Sequence, residues 1–553
     1  MRLLLLFMFG CVSVYGSNAW GLEKTTRVVG TNLEGIADYS GDWPFVNRMK
    51  SARKWITFDA TGKDKSWDTQ VPIPSDENGY PLSIPFDPDG EGGISPQGVR
   101  TILIAENDHY PAGEYTLIFE GKGKLHMRVD AQCPNLRDGQ CIFDKPNVAH
   151  RFIVKKPKWG LRLKILSSVA GDHIRNIRIL PPGVDIEEKI KFHPVFLERL
   201  RGFKILRFMD WASTNHSKIK RWSERVHPDY YTYALKGSGV PYEVMVDLSN
   251  KLKADAWFTI PTYVDDNFVQ ELARLINKTL DKDRRVYIEY SNEAWNKGFI
   301  QGKYVAKKGI ELAASLNVKM GPRQASAYYY AYRAAQIFNI FEKELTRERH
   351  LSKVVSGQGT NPWVLKWVLE ALDNKQFNPS GVKPDAMSIG FYMGGPVADQ
   401  LLTKKSLIYK KSVSISDVKE ITLDQIFAGI EKDLLENRQP KLLEHKKMAD
   451  KYNLLLLGYE GGQALRVGYG YKPEVLDLMT SKLIQANRDI RMKSLYSKMF
   501  DTWFESGGNH FMNFSYIYDP GRHGSWGILE YQWQNPDEAP KYQAVMEQLR
   551  LAK

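Results

Sequence analysis

The sequence predicts an α/β chain, a (β/α)8 barrel of the TIM type with an antiparallel β-sandwich domain inserted near its start. Three observations carry this expectation. From about Thr57 to Pro182, short alternating strands and turn-rich links follow one another with almost no helical spacing, the texture of an antiparallel sandwich. After it, seven short apolar runs alternate with helical stretches, the rhythm of a parallel sheet covered by helices. An eighth strand candidate, Arg27–Leu33, lies before the sandwich. Counting it closes the barrel, provided the sandwich interrupts the barrel after its first strand; two domains in sequence would leave the barrel open.

Taken in order, residues 1–16 have the form of a secretory signal, with Met1-Arg2, an apolar run from Leu3 to Val14 and small residues from Gly16 to Ala19. That run is shorter than the ~20 apolar residues that cross a bilayer, and no later stretch approaches that length, so the expectation is a secreted or extracellular protein (periplasmic in a bacterium) without a membrane span. The barrel is assigned to 17–56 and 183–553 and the sandwich to 57–182. Arg27–Leu33 is followed by Trp43–Ile56, read with helical spacing. Gly113–Glu120, Lys124–Asp130 and His173–Leu180 are the clearest sandwich strands, separated by turn signals such as Gly121-Lys-Gly123. The remaining barrel strands are Phe203–Met209, Ala256–Ile260, Val286–Tyr290, Lys353–Val355, Ala386–Tyr392, Leu454–Tyr459 and Phe511–Tyr516. Val244–Lys253, Phe268–Asn277, Gln324–Leu345 and Pro473–Ser494 are helical.

Composition narrows the class. Apolar residues make up 43% and charged residues 25%, as in ordinary globular proteins, and the 43 Gly and 27 Pro exclude collagen-like and disordered chains. Lys and Arg exceed Asp and Glu by 13, but they are scattered along the chain without a basic-aromatic nucleic-acid motif, so no nucleic-acid partner is expected. Cys11 falls in the leader. Cys133 and Cys141 remain, and in an oxidising compartment they read as a local disulfide, with two free thiols as the alternative. No Cys/His spacing suits a metal, and His193, His227 and His510 stand isolated. Asn215, Asn277 and Asn513 open Asn-x-Ser/Thr triplets. The aromatic share of 12%, with 14 Trp, 28 Tyr and 24 Phe, exceeds what a core alone needs.

The chemistry-bearing segment is Tyr287-Ile-Glu-Tyr-Ser-Asn-Glu-Ala-Trp-Asn296, an apolar run ending in polar residues. In a barrel the C-terminal ends of strands build the active site. Alternation puts Glu289, Ser291 and Glu293 on one face, with Glu289 deeper, as a partner for a buried cation, and Glu293 at the mouth beside Asn292. A second carboxylate, Glu460, emerges where the buried run Leu454–Leu457 ends, followed by two glycines that permit a tight turn and close backbone approach. By strand count these are the ends of the fourth and seventh strands. Two carboxyls facing one mouth suit glycoside hydrolysis, one protonating the leaving oxygen and the other attacking the anomeric carbon.

Asn292-Glu293, within Asn-Glu-Ala-Trp-Asn296, together with Glu460 resembles the acid/base and nucleophile of clan A retaining glycoside hydrolases, in particular the family 5 cellulases and their relatives. The resemblance covers the barrel, roughly 27–55 and 190–550. It implies that Arg207, in Ile205-Leu-Arg-Phe-Met-Asp-Trp211, holds the nucleophile ionised, a structural ion pair with Glu289 being the other reading of Arg207. It implies that Tyr392, in Ile389-Gly-Phe-Tyr392, hydrogen-bonds the nucleophile. The sequence departs from the family's pattern at strand three, Thr259-Ile-Pro-Thr-Tyr263, which lacks a histidine. It departs again at strand eight, His510–Tyr516, which lacks a tryptophan, so Tyr516 or Trp526 is expected to serve as the sugar platform. Trp211, Tyr263, Trp295 and Trp363 complete the candidate substrate-binding rings, and Trp43 is a further aromatic near a strand end. Tyr328, Tyr329, Tyr330 and Tyr332 read as helix packing.

The expected function is therefore secreted, retaining hydrolysis of β-glycosidic bonds in a polysaccharide, of β-glucan type, by a monomer without a cofactor. The alternative is a non-catalytic polysaccharide-binding or cell-surface protein on a glycosidase-like barrel, and transglycosylation would use the same residues.

Overall fold

A computed structural model describes residues 27–88, 93–134, 140–184, 190–346, 348–403 and 410–551. The signal-like segment 1–16, including Cys11, lies outside the described residues. The first strand is β1 (Val28–Asn32). Nine antiparallel strands follow it: β2 (Ile56–Asp59), β3 (Gln97–Ile104), β4 (Gly113–Glu120), β5 (Gly123–Val129), β6 (Ala131–Gln132), β7 (Cys141–Phe143), β8 (His150–Val154), β9 (Leu161–Ser168) and β10 (Arg175–Leu180). Parallel strands then resume as β11 (Ile205–Arg207), β12 (Asp255–Ile260), β13 (Val286–Tyr290), β14 (Leu351–Gly357), β15 (Ala386–Met393), β16 (Leu455–Gln463) and β17 (His510–Asn513).

β1 and β11 to β17 form one closed parallel barrel, closed where Val28 of β1 lies opposite His510 of β17. Its strands are buried on both faces; all five residues of β13 are buried, as expected of a parallel sheet under helices. Inside it, Ile205, Trp257, Tyr287, Val354, Ala386, Leu457, Tyr459 and Met512 fill the bore, so the barrel is a packed core with its chemistry at one end.

The outer shell is made by α1 (Pro194–Leu200), α2 (Tyr242–Leu252), α3 (Asp266–Thr279), α4 (Ile300–Ser315), α5 (Pro322–Glu344), α6 (Trp363–Asp373), α7 (Val397–Thr403), α8 (Ile415–Lys419), α9 (Leu423–Lys432), α10 (Gln439–Lys451), α11 (Pro473–Arg488), α12 (Arg491–Glu505) and α13 (Pro540–Leu551). In α3 the cause is plain. The Asp265 side chain accepts from the Phe268 N–H at 2.8 Å and caps the start. Phe268, Val269, Leu272, Ala273 and Ile276 then bury one stripe.

β2 to β10 form a four-stranded sheet (β10-β4-β8-β6) and a five-stranded sheet (β2-β3-β9-β5-β7) that share one apolar core. Cys133 and Cys141 are bridged. The sandwich is seated on the barrel by Tyr231, which packs in that core and whose hydroxyl accepts the Trp55 N–H at 2.9 Å.

Four expectations need correcting. Trp43–Ile56 is not a helix: a single 3-10 turn, Arg48–Ser51, interrupts extended chain, because Trp43, Met49, Ala52 and Trp55 point into the sandwich core and Ile56 already pairs with Arg100. The expected helix 473–494 breaks between α11 and α12. The eighth barrel strand stops at Asn513. The seventh does not end at Tyr459 but continues to Gln463, so the glycines after Glu460 serve strand packing and not a turn. A Cβ on Gly461 would lie 2.2 Å from the Phe511 ring and 2.7 Å from the Phe391 carbonyl oxygen.

Candidate active site

At the C-terminal end of the barrel one guanidinium ties four strands together. Arg207, on β11 and fully buried, donates through Nε and Nη2 to Glu289 Oε2 at 3.2 and 3.0 Å. Nη1 donates to Glu460 Oε1 at 2.9 Å and to Asn32 at 3.0 Å, and Nη2 also donates to Asn292 at 2.8 Å. Arg207 thus pairs with Glu289 and Glu460 together. Glu289 is further held by Trp257 Nε1 at 2.9 Å and Ser356 Oγ at 2.6 Å. Tyr392, on β15, donates its hydroxyl to Glu460 Oε2 at 2.9 Å. Glu293 accepts from Tyr459 at 3.2 Å and from Asn296 at 3.0 Å.

Two backbone departures from regular strand produce this convergence. Between β15 and β16 Ile389 pairs with Gly458 and Gly390 with Glu460, so Tyr459 is an extra residue, a β-bulge that re-aims its side chain. Consecutive residues Tyr459 and Glu460 both reach the mouth, which alternation forbids in a regular strand. After β13, Ser291 and Glu293 take φ of 63° and 44°, left-handed conformations that are uncommon outside glycine. The expected shared face of Glu289, Ser291 and Glu293 is thereby broken. The Ser291 hydroxyl instead meets Thr262 at 2.7 Å, while Asn292 turns to Arg207.

The electrostatics separate the two mouth carboxyls. Burial pushes Glu460 up, Arg207 and the Tyr392 donor pull it back, and Glu293 pushes with burial. Burial also raises Glu293, while the Asn296 and Tyr459 donors pull it down. Two such carboxyls titrate as a pair. The permanent cation and the Tyr392 donor face Glu460, whereas Glu293 receives only neutral donors, so the shared proton is best placed on Glu293. Tyr392 and Tyr459 are held neutral, first by burial and then by the carboxylates beside them, which keeps them donors. Among the described residues no group of His, Cys, Asp and Glu is arranged to hold a metal.

The candidate aromatics divide. Trp211 is fully buried, stacked on Phe196 and tilted against Phe45 and Phe208, and Tyr516 is fully buried against Phe196. Both are core rings and correct the expectation of sugar platforms there; the cause is α1, which covers them. Trp526 is half-buried and edge-on to Tyr392 at 5.5 Å, beside the site. Tyr263 leans on Tyr304 at 4.5 Å. Trp295 and Trp363 line a cavity of about 580 Å³ with Asn296, Ser356 and Trp367, next to the Glu293 side of the mouth.

Several contributors escaped sequence reasoning. Asn32, Trp257, Ser356 and Tyr459 carried no local signal beyond a strand-end position. Asn296 lay inside the quoted motif. Asn215 accepts from Asn292 at 3.2 Å and from Gln301 at 2.6 Å, so this glycosylation-type triplet is used internally, and Asn513 is fully buried.

No protein-family model matches the sequence, and no curated protein matches it. Among solved structures, the chain is similar to the CBM22-1–GH10 modules of endo-1,4-β-D-xylanase 10B from Clostridium thermocellum, with 9% identity and a TM-score of 0.36 over 94% of this chain and 98% of that one. It is also similar to a GH5-4 broad-specificity endoglucanase from Clostridium longisporum, with 11% identity and a TM-score of 0.34 over 67% and 88% of the two chains. A GH128 endo-β-1,3-glucanase from Sorangium cellulosum matches at 12% identity and a TM-score of 0.28 over 62% and 91%. These neighbours are glycoside hydrolases.

Proposed function

We propose that the chain is a secreted retaining glycoside hydrolase acting on a β-linked polysaccharide of glucan type. The observation that carries this reading is the unequal setting of two strand-end carboxyls, Glu460 bonded to Arg207 and Tyr392, and Glu293 bonded to neutral donors. In the first step a Glu460 oxygen forms a bond to the anomeric carbon as the bond to the leaving oxygen breaks, and Glu293 gives that oxygen its proton. In the second step Glu293 takes a proton from water, the water oxygen bonds to the anomeric carbon, and Glu460 departs as carboxylate. Asn292, fixed by Arg207 and Asn215, is poised to bond a sugar hydroxyl, and Trp526, Trp295 and Trp363 are the rings placed to stack on sugars. The disulfide fits an oxidising compartment.

The test is the wild type against Glu460→Ala and Glu293→Ala on β-1,3-, β-1,4- and mixed-linkage glucans, mannans and xylans, with products read by mass spectrometry and the first-formed anomer by NMR. Activity in the wild type alone, with the anomeric configuration kept, supports the proposal. Inversion of the anomer refutes the nucleophilic role of Glu460. Glycan binding without cleavage by all three proteins establishes the non-catalytic alternative.

A further inference from the structure

The outward face of the five-stranded sheet gathers cations that the sequence scatters over some sixty positions. On β5 and β9, Leu125, Met127, Leu163 and Ile165 point into the sandwich core, so the alternate residues face out. Lys124, Arg128 and Arg162 are exposed, and His126, Arg100 and Lys164 half-buried. The strand register sets these basic side chains side by side, His126 among them as a neutral imidazole. Arg128 lies opposite Arg162, and His126 opposite Lys164, while Arg100 lies opposite Lys164 from the other side. Like charges directly opposite one another destabilise a sheet. Their mutual repulsion is visible in Lys164, lowered by burial and then by Arg128 and Arg100, and in His126, lowered by burial and then by Arg128 and Lys164.

Arg128, Arg162 and Lys164 form no ion pair among the described residues, and Asp68 is the acid that offsets Arg100. Aromatic rings lie among the cations. Trp67, 46% exposed, has Arg100 at 3.7 Å and Arg162 at 5.4 Å from its ring, and Phe58 has Lys164 at 4.2 Å. The Arg100 guanidinium also bonds the Trp67 carbonyl, which fixes the ring over the sheet.

We propose that this face docks an acidic polysaccharide, a chain of sugars bearing carboxylates, with the guanidinium groups pairing the carboxylates and Trp67 lying against a sugar ring. Charge complementarity commits the occupant to a polyanion, and the geometry favours an extended, regularly charged one. The cations recur across strands at ~4.8 Å and along them at ~6.7 Å, and Arg pairs a carboxylate in a planar fork. A nucleic-acid strand is bound by a succession of exposed rings that stack its bases, and among the described residues this face offers Trp67, in the connection between β2 and β3, with Phe58 and His126 only half-buried beside it. The inference stands on the sheet face and does not depend on Glu460.

The experiment is affinity electrophoresis of the full chain in gels containing polygalacturonate, with dextran sulfate, single-stranded DNA and phosphatidylserine vesicles as competitors. The wild type is expected to be retarded, less so as salt is raised. Arg162→Gln with Lys164→Gln is expected to bind about tenfold more weakly, two exposed ion pairs being lost. It is also expected to melt no lower than the wild type, since opposed like charges are relieved. If the double variant does not fold, Arg128→Gln carries the test, with an expected loss of about threefold. Unchanged retardation of the variants overturns the proposal, and so does tighter binding of any of the three competitors.

Discussion

Replacing Arg207 by lysine tests the centre of the site while keeping its charge. The arginine makes five hydrogen bonds to four side chains, Asn32, Glu289, Asn292 and Glu460, all in one plane of donors. A lysine ammonium has three donors at a single point, so at least two of the five are lost. Hydrogen bonds to charged groups contribute ~1.5–3 kcal/mol each, so the loss is about 3–6 kcal/mol. Because Glu289 lies deeper and is held by Trp257 and Ser356 as well, a lysine that pairs with it withdraws from Glu460. Expressed in the barrier, 3–6 kcal/mol lowers kcat/KM by roughly two to four powers of ten. The assay is glucan hydrolysis at saturating and limiting substrate, with near-ultraviolet circular dichroism to establish that the variant is folded. A folded Arg207→Lys protein within threefold of wild-type kcat/KM refutes the argument that the planar fork organises the two carboxylates.

Three further predictions follow from other parts of the molecule. Tyr459→Phe removes a donor that pulls Glu293 down, so the alkaline limb of the pH–rate profile should move up; a limb that stays or moves down refutes the assignment of Glu293 as the acid. His193, His445 and His510 are each lowered to about 4 by burial, so their contribution to stability is full above the unfolded value of ~6.5 and is lost as the pH falls toward 4. Urea unfolding at pH ~5 should show a loss of roughly 2 kcal/mol per histidine relative to pH 7, reduced in His445→Asn. Gly461→Ala sets a methyl group against the Phe511 ring and the Phe391 carbonyl, and should lower stability by ~1–3 kcal/mol in thermal melts and displace Glu460 enough to depress kcat; a variant equal to wild type in both measurements refutes the packing argument.

The sequence by itself determined the parallel strands and their order. Runs such as Leu454–Tyr459 are apolar over the length of a strand, and burial on both faces makes that pattern local and readable. It also brought Glu293 and Glu460 to the C-terminal side of the fourth and seventh strands, since polar residues after an apolar run mark the barrel's mouth, although β16 runs three residues past Glu460. Only the tertiary structure decided what those residues touch. The bulge at Tyr459 lies in the register against β15, and the left-handed Ser291 meets Thr262 beyond the end of the neighbouring strand β12, so alternation along one strand could not disclose either. Trp211 and Tyr516 have the local look of sugar platforms until α1 covers them. The basic face of the sandwich was invisible for the same reason. Arg100, Arg128, Arg162 and Lys164 are far apart along the chain, and a uniform sprinkling of charge becomes a field only when strand pairing sets those residues side by side.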